Sequence, residues 1–164
     1  MILAFVLIIH SLKTHQRSLE WRTESDLFNS ALKIVPKNAK VYYNIARISS
    51  EVKDIEKSVK FYHHAIKLHP NYESAHMNLG NLYRELQQFE RAKFHLMKAV
   101  EILEEFPTAW MNLGIVLAML KEFEASERSY RKALSYRKNY ANCYYNMGEE
   151  FLTKKTQSPM HGRI

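Results

Sequence analysis

Four asparagines, Asn44, Asn78, Asn112 and Asn146, stand 34 residues apart, each inside an apolar stretch: VYYNIARIS, AHMNLGNLY, AWMNLGIVL and NCYYNMGEEF. Asparagine is a poor helix former, costing a few tenths of a kcal/mol against alanine. Its amide, however, is both donor and acceptor, and so can pair with a peptide N–H and C=O together without reading the peptide's side chains. A column of such amides suits the capture of an extended polypeptide. Beside each lies an adaptable apolar group, Tyr43, Met77, Met111 or Tyr145. Three residues after the first two, Arg47 and Asn81 extend the polar column. The competing explanation is that duplication copied one water-facing residue four times, or one that bonds to a neighbouring repeat, and both readings stand at this point.

Little else in the chain has a spacing suited to chemistry. His63 and His64, with His69 nearby, invite a metal, but adjacent residues on a helix point about 100° apart and no carboxylate is spaced to join them, so a solvated surface is expected. No Ser-His-Asp, P-loop or paired-carboxylate arrangement occurs, and no catalytic residue, cofactor or metal is assigned. Cys143 is the single cysteine and reads as a packed small side chain. Trp110 and Trp21 read as core or junction packing.

The elements that must carry the amides follow from the same period. Counting each block from Ala39, Glu73, Pro107 and Ala141, position 4 is Tyr42, His76, Trp110 and Tyr144, position 7 is Ile45, Leu79, Leu113 and Met147, and position 8 is Ala46, Gly80, Gly114 and Gly148. These spacings define one helix. A second follows, with small residues at position 20 (Ser58, Ala92, Ser126), bulky ones at 24 (Tyr62, Leu96, Tyr130) and alanines at 27 (Ala65, Ala99, Ala133), and Pro70 closes the first block. This is the pattern of the tetratricopeptide repeat (TPR), an all-α superhelix of antiparallel helix pairs in which the small residues allow close approach.

On the first helix, position 6 points about 150° from the centre of the stripe formed by positions 4, 7, 8 and 11. In TPR superhelices that helix lines the concave groove. The asparagines are therefore expected on its floor with position 2 (Lys40, Ser74, Thr108, Asn142), position 9 (Arg47, Asn81, Ile115, Glu149) and position 13 (Glu51, Glu85, Met119, Thr153). A clamp for acidic C-termini would want Lys at position 5, and none is there.

The expected organisation has three complete repeats, 38–72, 73–106 and 107–140, between two half-repeats. Residues 18–37 form a lone capping helix with Phe28, Ala31 and Pro36 in second-helix register, and 141–154 form a first helix without its partner. Residues 155–164 lose the pattern and are expected to be a disordered tail. The start, MILAFVLII, is too short to span a bilayer alone. It reads as the end of a membrane helix within a junction over 1–17, ahead of an interfacial anchor or an apolar strip buried on the first repeat helix. Lys13, Arg17 and Arg22 after it would by charge bias put the repeats on the cytoplasmic side.

The formal net charge of +7 raises nucleic acid as a partner, but between residues 25 and 153 Lys and Arg outnumber Asp and Glu only by 18 to 15. Basic residues flank the repeats rather than line a face, which argues against phosphate binding.

The stretches SLEWRTESDLFNSALKIVPKNAKVYYNIAR, NLGNLYRELQQFERA and AWMNLGIVLAMLKEFEASERSYRKAL resemble the repeat region of the transmembrane and TPR repeat-containing (TMTC) family. In that family LEWRTESDLF directly follows the last membrane helix. The resemblance implies an endoplasmic-reticulum membrane protein with lumenal repeats, a membrane half like a dolichyl-phosphate-mannose O-mannosyltransferase, and cadherin-like acceptors. No residue of a glycosyl-transfer site has a counterpart here, so the enzyme label stays with the parent family. The position-6 column also resembles that of the O-linked N-acetylglucosamine transferase repeats, where asparagines hold peptide. The expected function is thus a polypeptide-binding interaction module of a TMTC-like factor, with a stand-alone TPR adaptor as the alternative.

Overall fold

The computed structural model describes residues 6, 8–15 and 23–157, and all regular structure among them is helical. The helices are α1 (residues 8–15), α2 (Glu24–Ile34), α3 (Ala39–Glu51), α4 (Ile55–Leu68), α5 (Glu73–Glu85), α6 (Phe89–Ile102), α7 (Pro107–Met119), α8 (Phe123–Tyr136) and α9 (Ala141–Gln157). They divide between two compact units, Met1–Pro70 and Asn71–Ile164. In the first, α3 packs on α2 and α4. In the second, α5 pairs with α6 and α7 with α8, α6 packs on α7, and α9 packs on α8. The all-α fold expected from the period is the one observed.

Part of the N-terminal expectation lies outside the described residues, namely 1–5, 7 and 16–22, and so does Trp21. Within α1, Ile8, Ile9 and Leu12 are exposed. No helix among the described residues is long and apolar enough to cross a membrane. At the other end α9 runs to Gln157, three residues past the expected limit of 154. Lys154, Lys155 and Gln157 are good helix formers, and Pro159 disfavours helix at the residue before it.

Local chemistry starts and stops these helices. The Thr23 hydroxyl accepts from the Asp26 N–H and donates to the Asp26 carboxylate, Asn38 accepts from the Lys40 N–H, and Asp54 from the Lys57 N–H. Pro107 opens α7, where its missing N–H is not needed. The turns between paired helices share one geometry: Lys53, Gln87 and Lys121 have φ of 62, 58 and 63°. From the next residue the N–H reaches back across that turn, Asp54 to the Ser49 carbonyl, Gln88 to Tyr83 and Glu122 to Leu117, at 2.8–2.9 Å. This is the Schellman closure, which favours glycine at the left-handed position. None of the three turns has one.

Inside each pair the small positions are sealed. Ala46, Ser58, Ala65, Ala92, Ala99, Ser126 and Ala133 are fully buried, as nearly are Tyr62, Leu96 and Tyr130. The Ser58 hydroxyl donates to the Ala46 carbonyl and that of Ser126 to the Gly114 carbonyl, each at 2.8 Å. A methyl group on Gly80 would lie 2.7 Å from Leu96 Cγ, and one on Gly114 2.7 Å from the Tyr130 ring. Gly148 occupies the same register on α9, yet a methyl there would meet nothing within 4 Å.

Loop contacts tie the pairs of the second unit together. Glu104 takes the Trp110 indole N–H on its carbonyl at 2.7 Å and Lys132 on its carboxylate at 2.7 Å. The hydrogen bond from Lys132, followed by one from Tyr136, holds the Glu104 carboxyl below its usual range, and the bond to Glu104 raises the Lys132 ammonium. Lys93 of α6 grips both oxygens of Glu122 at 2.7 and 2.9 Å.

Two outcomes are expected from this packing. Gly114→Ala forces a methyl against a buried ring and should lower unfolding free energy by about 1–3 kcal/mol, whereas Gly148→Ala fills open space on a helix and should be neutral or stabilising by up to about 1 kcal/mol. Urea unfolding of the two variants, compared with the parent, reads the sign of each. Gln87→Gly relieves the left-handed turn and should raise stability by roughly 1 kcal/mol after its own unfolded-state entropy is counted; a lower melting temperature would refute that account.

Candidate peptide-binding surface

The residues proposed from the sequence to bind peptide all lie on first helices, but their surroundings differ. In the first unit, Asn44 and Tyr43 of α3 are half-buried, and the Tyr43 ring meets the Tyr62 edge at 5.9 Å. Arg47 is half-buried and bonded to Glu51 one turn on at 2.6 Å. Two members of the expected polar floor therefore bond to each other, and the Arg47 side chain stays about a third exposed.

In the second unit α7 touches both α5 and α9 through first-helix contacts. The consequence is uneven access along the column. Met77 and Asn78 on α5 are half-buried, Asn146 on α9 is half-buried, and Tyr145 is 68% exposed. On the central helix Asn112 is only 7% exposed and Met111 8%. Met111 joins a cluster with Tyr130, Ala133, Tyr140 and Cys143, against which Trp110, Ile115, Leu134 and Met147 also pack. Met111 is thus nearly buried in this cluster, and Asn112 is a nearly enclosed amide rather than a water-facing one. The physical reason is that the helical-wheel argument counted only the partner helix within a repeat, while the neighbouring first helices enclose α7 from its flanks. The sequence held a signal for this: PTAWMNLGIVLAM is apolar nearly all round, as a helix covered on several sides must be.

Asn81 adds a polar feature to α5. Its Oδ1 is shut off from water without a hydrogen-bond partner among the described residues, and Arg84 Nε on the next turn is in the same condition. A buried acceptor without a donor costs about 1–3 kcal/mol, so this stretch of α5 is polar by more than folding requires. His63 and His64 are exposed on α4, with the His64 ring stacked on Tyr42 at 4.0 Å.

The Tetratricopeptide repeat profile matches residues 39–72, 73–104 and 107–140. The chain belongs to the tetratricopeptide repeat family. Part of its repeat region is similar to that of TMTC proteins. Protein O-mannosyl-transferase Tmtc3 of Drosophila melanogaster is 40% identical over 60 residues, which make up 37% of this chain and 6% of that protein. Protein O-mannosyl-transferase TMTC4 of Mus musculus is 44% identical over 57 residues, 35% of this chain and 8% of that protein. The aligned part is thus under a tenth of the length of either relative. Among solved structures, a crystal structure of MamA superimposes with a TM-score of 0.75 at 15% identity, covering 87% of this chain and 83% of that one. The first TPR of Spaghetti (RPAP3), bound to the HSP90 peptide SRMEEVD, gives a TM-score of 0.69 at 15% identity, over 72% of this chain and 94% of that one. Those likenesses establish the fold. A TPR array is a protein–protein interaction module.

Enclosure of α7 also has a measurable effect on Cys143, which the Met111 cluster covers completely. Its thiol points at the Tyr130 carbonyl at 3.7 Å, and burial pushes it up to about 11 from 9.0. Since the folded state holds the proton more tightly than the unfolded chain, stability is intact below about pH 9 and falls as pH rises toward about 11, by at most tenfold in the folding constant per pH unit. Relative to Cys143→Ala, the parent protein should therefore lose stability across that window. A difference that stays flat with pH would remove burial of the thiol as the cause.

Proposed function

We propose that this TPR region is the polypeptide-binding part of a TMTC-like protein O-mannosylation factor. It works in the endoplasmic-reticulum lumen and presents extended acceptor segments, cadherin-like by the family resemblance, to a membrane-embedded transferase half. The observation that carries the reading is the 40% identity of a 60-residue stretch to a protein O-mannosyl-transferase. The position-6 column then supplies a mechanism. Asn78 and Asn146 are the accessible amides of the second unit, with Met77 and Tyr145 beside them to cover a peptide's apolar side chains. Backbone-directed bonds from Asn hold many sequences, as a factor with varied acceptor loops requires. Arg47, Asn44 and Tyr43 offer the same combination on α3, and Asn81 does so on α5. Asn112 and Met111 support the surface from beneath. The absence of Lys at position 5 separates this surface from receptors of acidic C-termini.

The test is photo-crosslinking from Met77 and from Tyr145 to an unglycosylated cadherin-type acceptor strand, together with affinity measured for the Asn78→Ala, Asn146→Ala double variant. Each amide lost should cost about 1 kcal/mol of binding, so affinity should drop about tenfold or more while the melting temperature stays nearly unchanged. Capture that survives the double substitution, or crosslinks from neither site, would sink the amide column as the receptor. Equal capture of unrelated cytosolic peptides would instead support a general TPR adaptor.

A further inference from the structure

Two of the helices carry complementary halves of one repeat. By the 34-residue period α2 has the register of a second helix, with Leu27, Phe28, Ala31 and Ile34 at positions 23, 24, 27 and 30. By the same period α9 has the register of a first helix, with Tyr144, Met147 and Gly148 at positions 4, 7 and 8. The complete repeats show what these positions do. Position 8 receives position 24: a methyl group on Gly80 would lie 2.7 Å from Leu96, and one on Gly114 2.7 Å from Tyr130. Position 4 meets position 23: Tyr42 stacks on Phe61 at 5.8 Å, and His76 and His95 bring their Nδ1 atoms to 3.1 Å. The third repeat carries Trp110 and Ser129 in that slot.

Neither half has the cover that its register calls for. Tyr62, Leu96 and Tyr130 at position 24 and Ala65, Ala99 and Ala133 at position 27 are buried, whereas Phe28 and Ala31 are only half-buried. At position 30 Leu68, Ile102 and Tyr136 are half-buried, yet Ile34 is 70% exposed. Leu27 is exposed as well, although α2 packs on α3. On α9 the side that carries Cys143 is closed against Tyr130 of α8. Tyr144 is 56% exposed, where His76 is buried and Tyr42 and Trp110 are half-buried. Gly148 is exposed, with nothing within 4 Å of the place a methyl group would take.

The backbone of α9 rules out the usual way of covering that stripe. In the complete repeats the first helix ends at position 13, and a left-handed residue at position 15, Lys53, Gln87 or Lys121, turns the chain back. At the same place α9 is helical, and it runs on to Gln157 at position 17. A second helix joined by that turn therefore does not lie on α9. What fits the open stripe is a separate helix with a bulky residue at position 24 and a small one at 27, and α2 is such a helix, itself uncovered on that face. Charge agrees with the match. Antiparallel pairing sets the start of α2, with Glu24 and Asp26, beside the end of α9, with Lys154 and Lys155. Position 20, Ser or Ala in the complete repeats, is Glu24 in α2, so the contact rests on positions 23 to 30 and is weaker than one within a repeat.

We propose that copies of this chain associate head to tail, α2 of one copy seating on the open stripe of α9 of the next. The two halves complete a repeat between them, with Phe28 of one copy against Gly148 of the other and Leu27 against Tyr144. Such a contact joins two different surfaces, so association continues past a dimer unless a ring closes.

The full chain is followed by sedimentation equilibrium from about 1 to about 200 μM, a range suited to weak protein contacts. Its weight-average mass should rise with concentration from the 19.4 kDa of one chain. Leu27→Glu places a charge on the open face of α2, and Gly148→Glu fills that of α9. Both positions are exposed, so the melting temperature should change little. Each variant alone should associate at least about tenfold more weakly than the parent, since its charge would be buried unpaired at the contact. An equimolar mixture should recover association and level off at twice the mass of one chain, because only one intact α2 and one intact α9 are left to meet. A parent that stays at the mass of one chain, a single variant that associates as the parent does, or a mixture that stays monomeric overturns the proposal. Should Gly148→Glu lower the melting temperature, Tyr144→Glu blocks the same stripe and takes its place in the mixture.

Discussion

Everything in the described fold depends on how closely the two helices of a repeat approach at position 8. There the backbone of the first helix lies against the residue at position 24 of the second, so tightly that Gly114 leaves no room for a methyl group beside Tyr130. The hydroxyls of Ser58 and Ser126, seated at that crossing, take the carbonyls of Ala46 and Gly114. A side-chain donor to a buried helix carbonyl fixes the crossing point in a way that apolar contact alone would not, because a slip of one residue would strand a buried hydroxyl. The middle repeat has Ala92 in that place, with Leu96 on Gly80. Its crossing is held by shape rather than by a hydrogen bond.

With the crossing set, the turn between paired helices has little freedom. The first helix must end and reverse within two or three residues, which demands a left-handed residue at Lys53, Gln87 and Lys121 although none is glycine. The backbone bonds that close each turn compensate for that strain. The same crossing fixes which positions of the first helix face outward, and with them the line of asparagines. It also aligns positions 4 and 23, a slot that the three repeats fill with three chemistries: an aromatic stack, an imidazole pair, and an indole with a hydroxyl. The scaffold tolerates all three because the crossing, not this slot, determines the pairing.

Much of this was readable in the sequence. The 34-residue period and the small residues at positions 8, 20 and 27 place the helix pairs and their contact line, because these depend on neighbours within one repeat. Contacts between repeats were not readable by the same argument. Met111 and Asn112 were read as groove residues, and the structure encloses both, since a single-helix wheel has no term for the first helix next door. Lys93 and Glu122, 29 residues apart, are invisible to any helical spacing, as are His76 and His95 at 19. The left-handed turns escaped notice because their residues are Lys and Gln, which carry no turn signature. Only the composition of α7, without one ionisable side chain, pointed to a helix covered from more than one side.

That enclosure bears on where binding can occur. A first helix flanked on both sides loses its outward face to its neighbours, as α7 does, and its amide then serves packing as much as recognition. The helices α5 and α9, which within their unit meet α7 on one side only, retain the half-buried Asn78 and Asn146 and the open Tyr145. Recognition and stability are therefore divided along the array. The central helix holds the Met111 cluster, and of the flanking helices α5 carries Asn81, whose buried Oδ1 has no hydrogen-bond partner among the described residues.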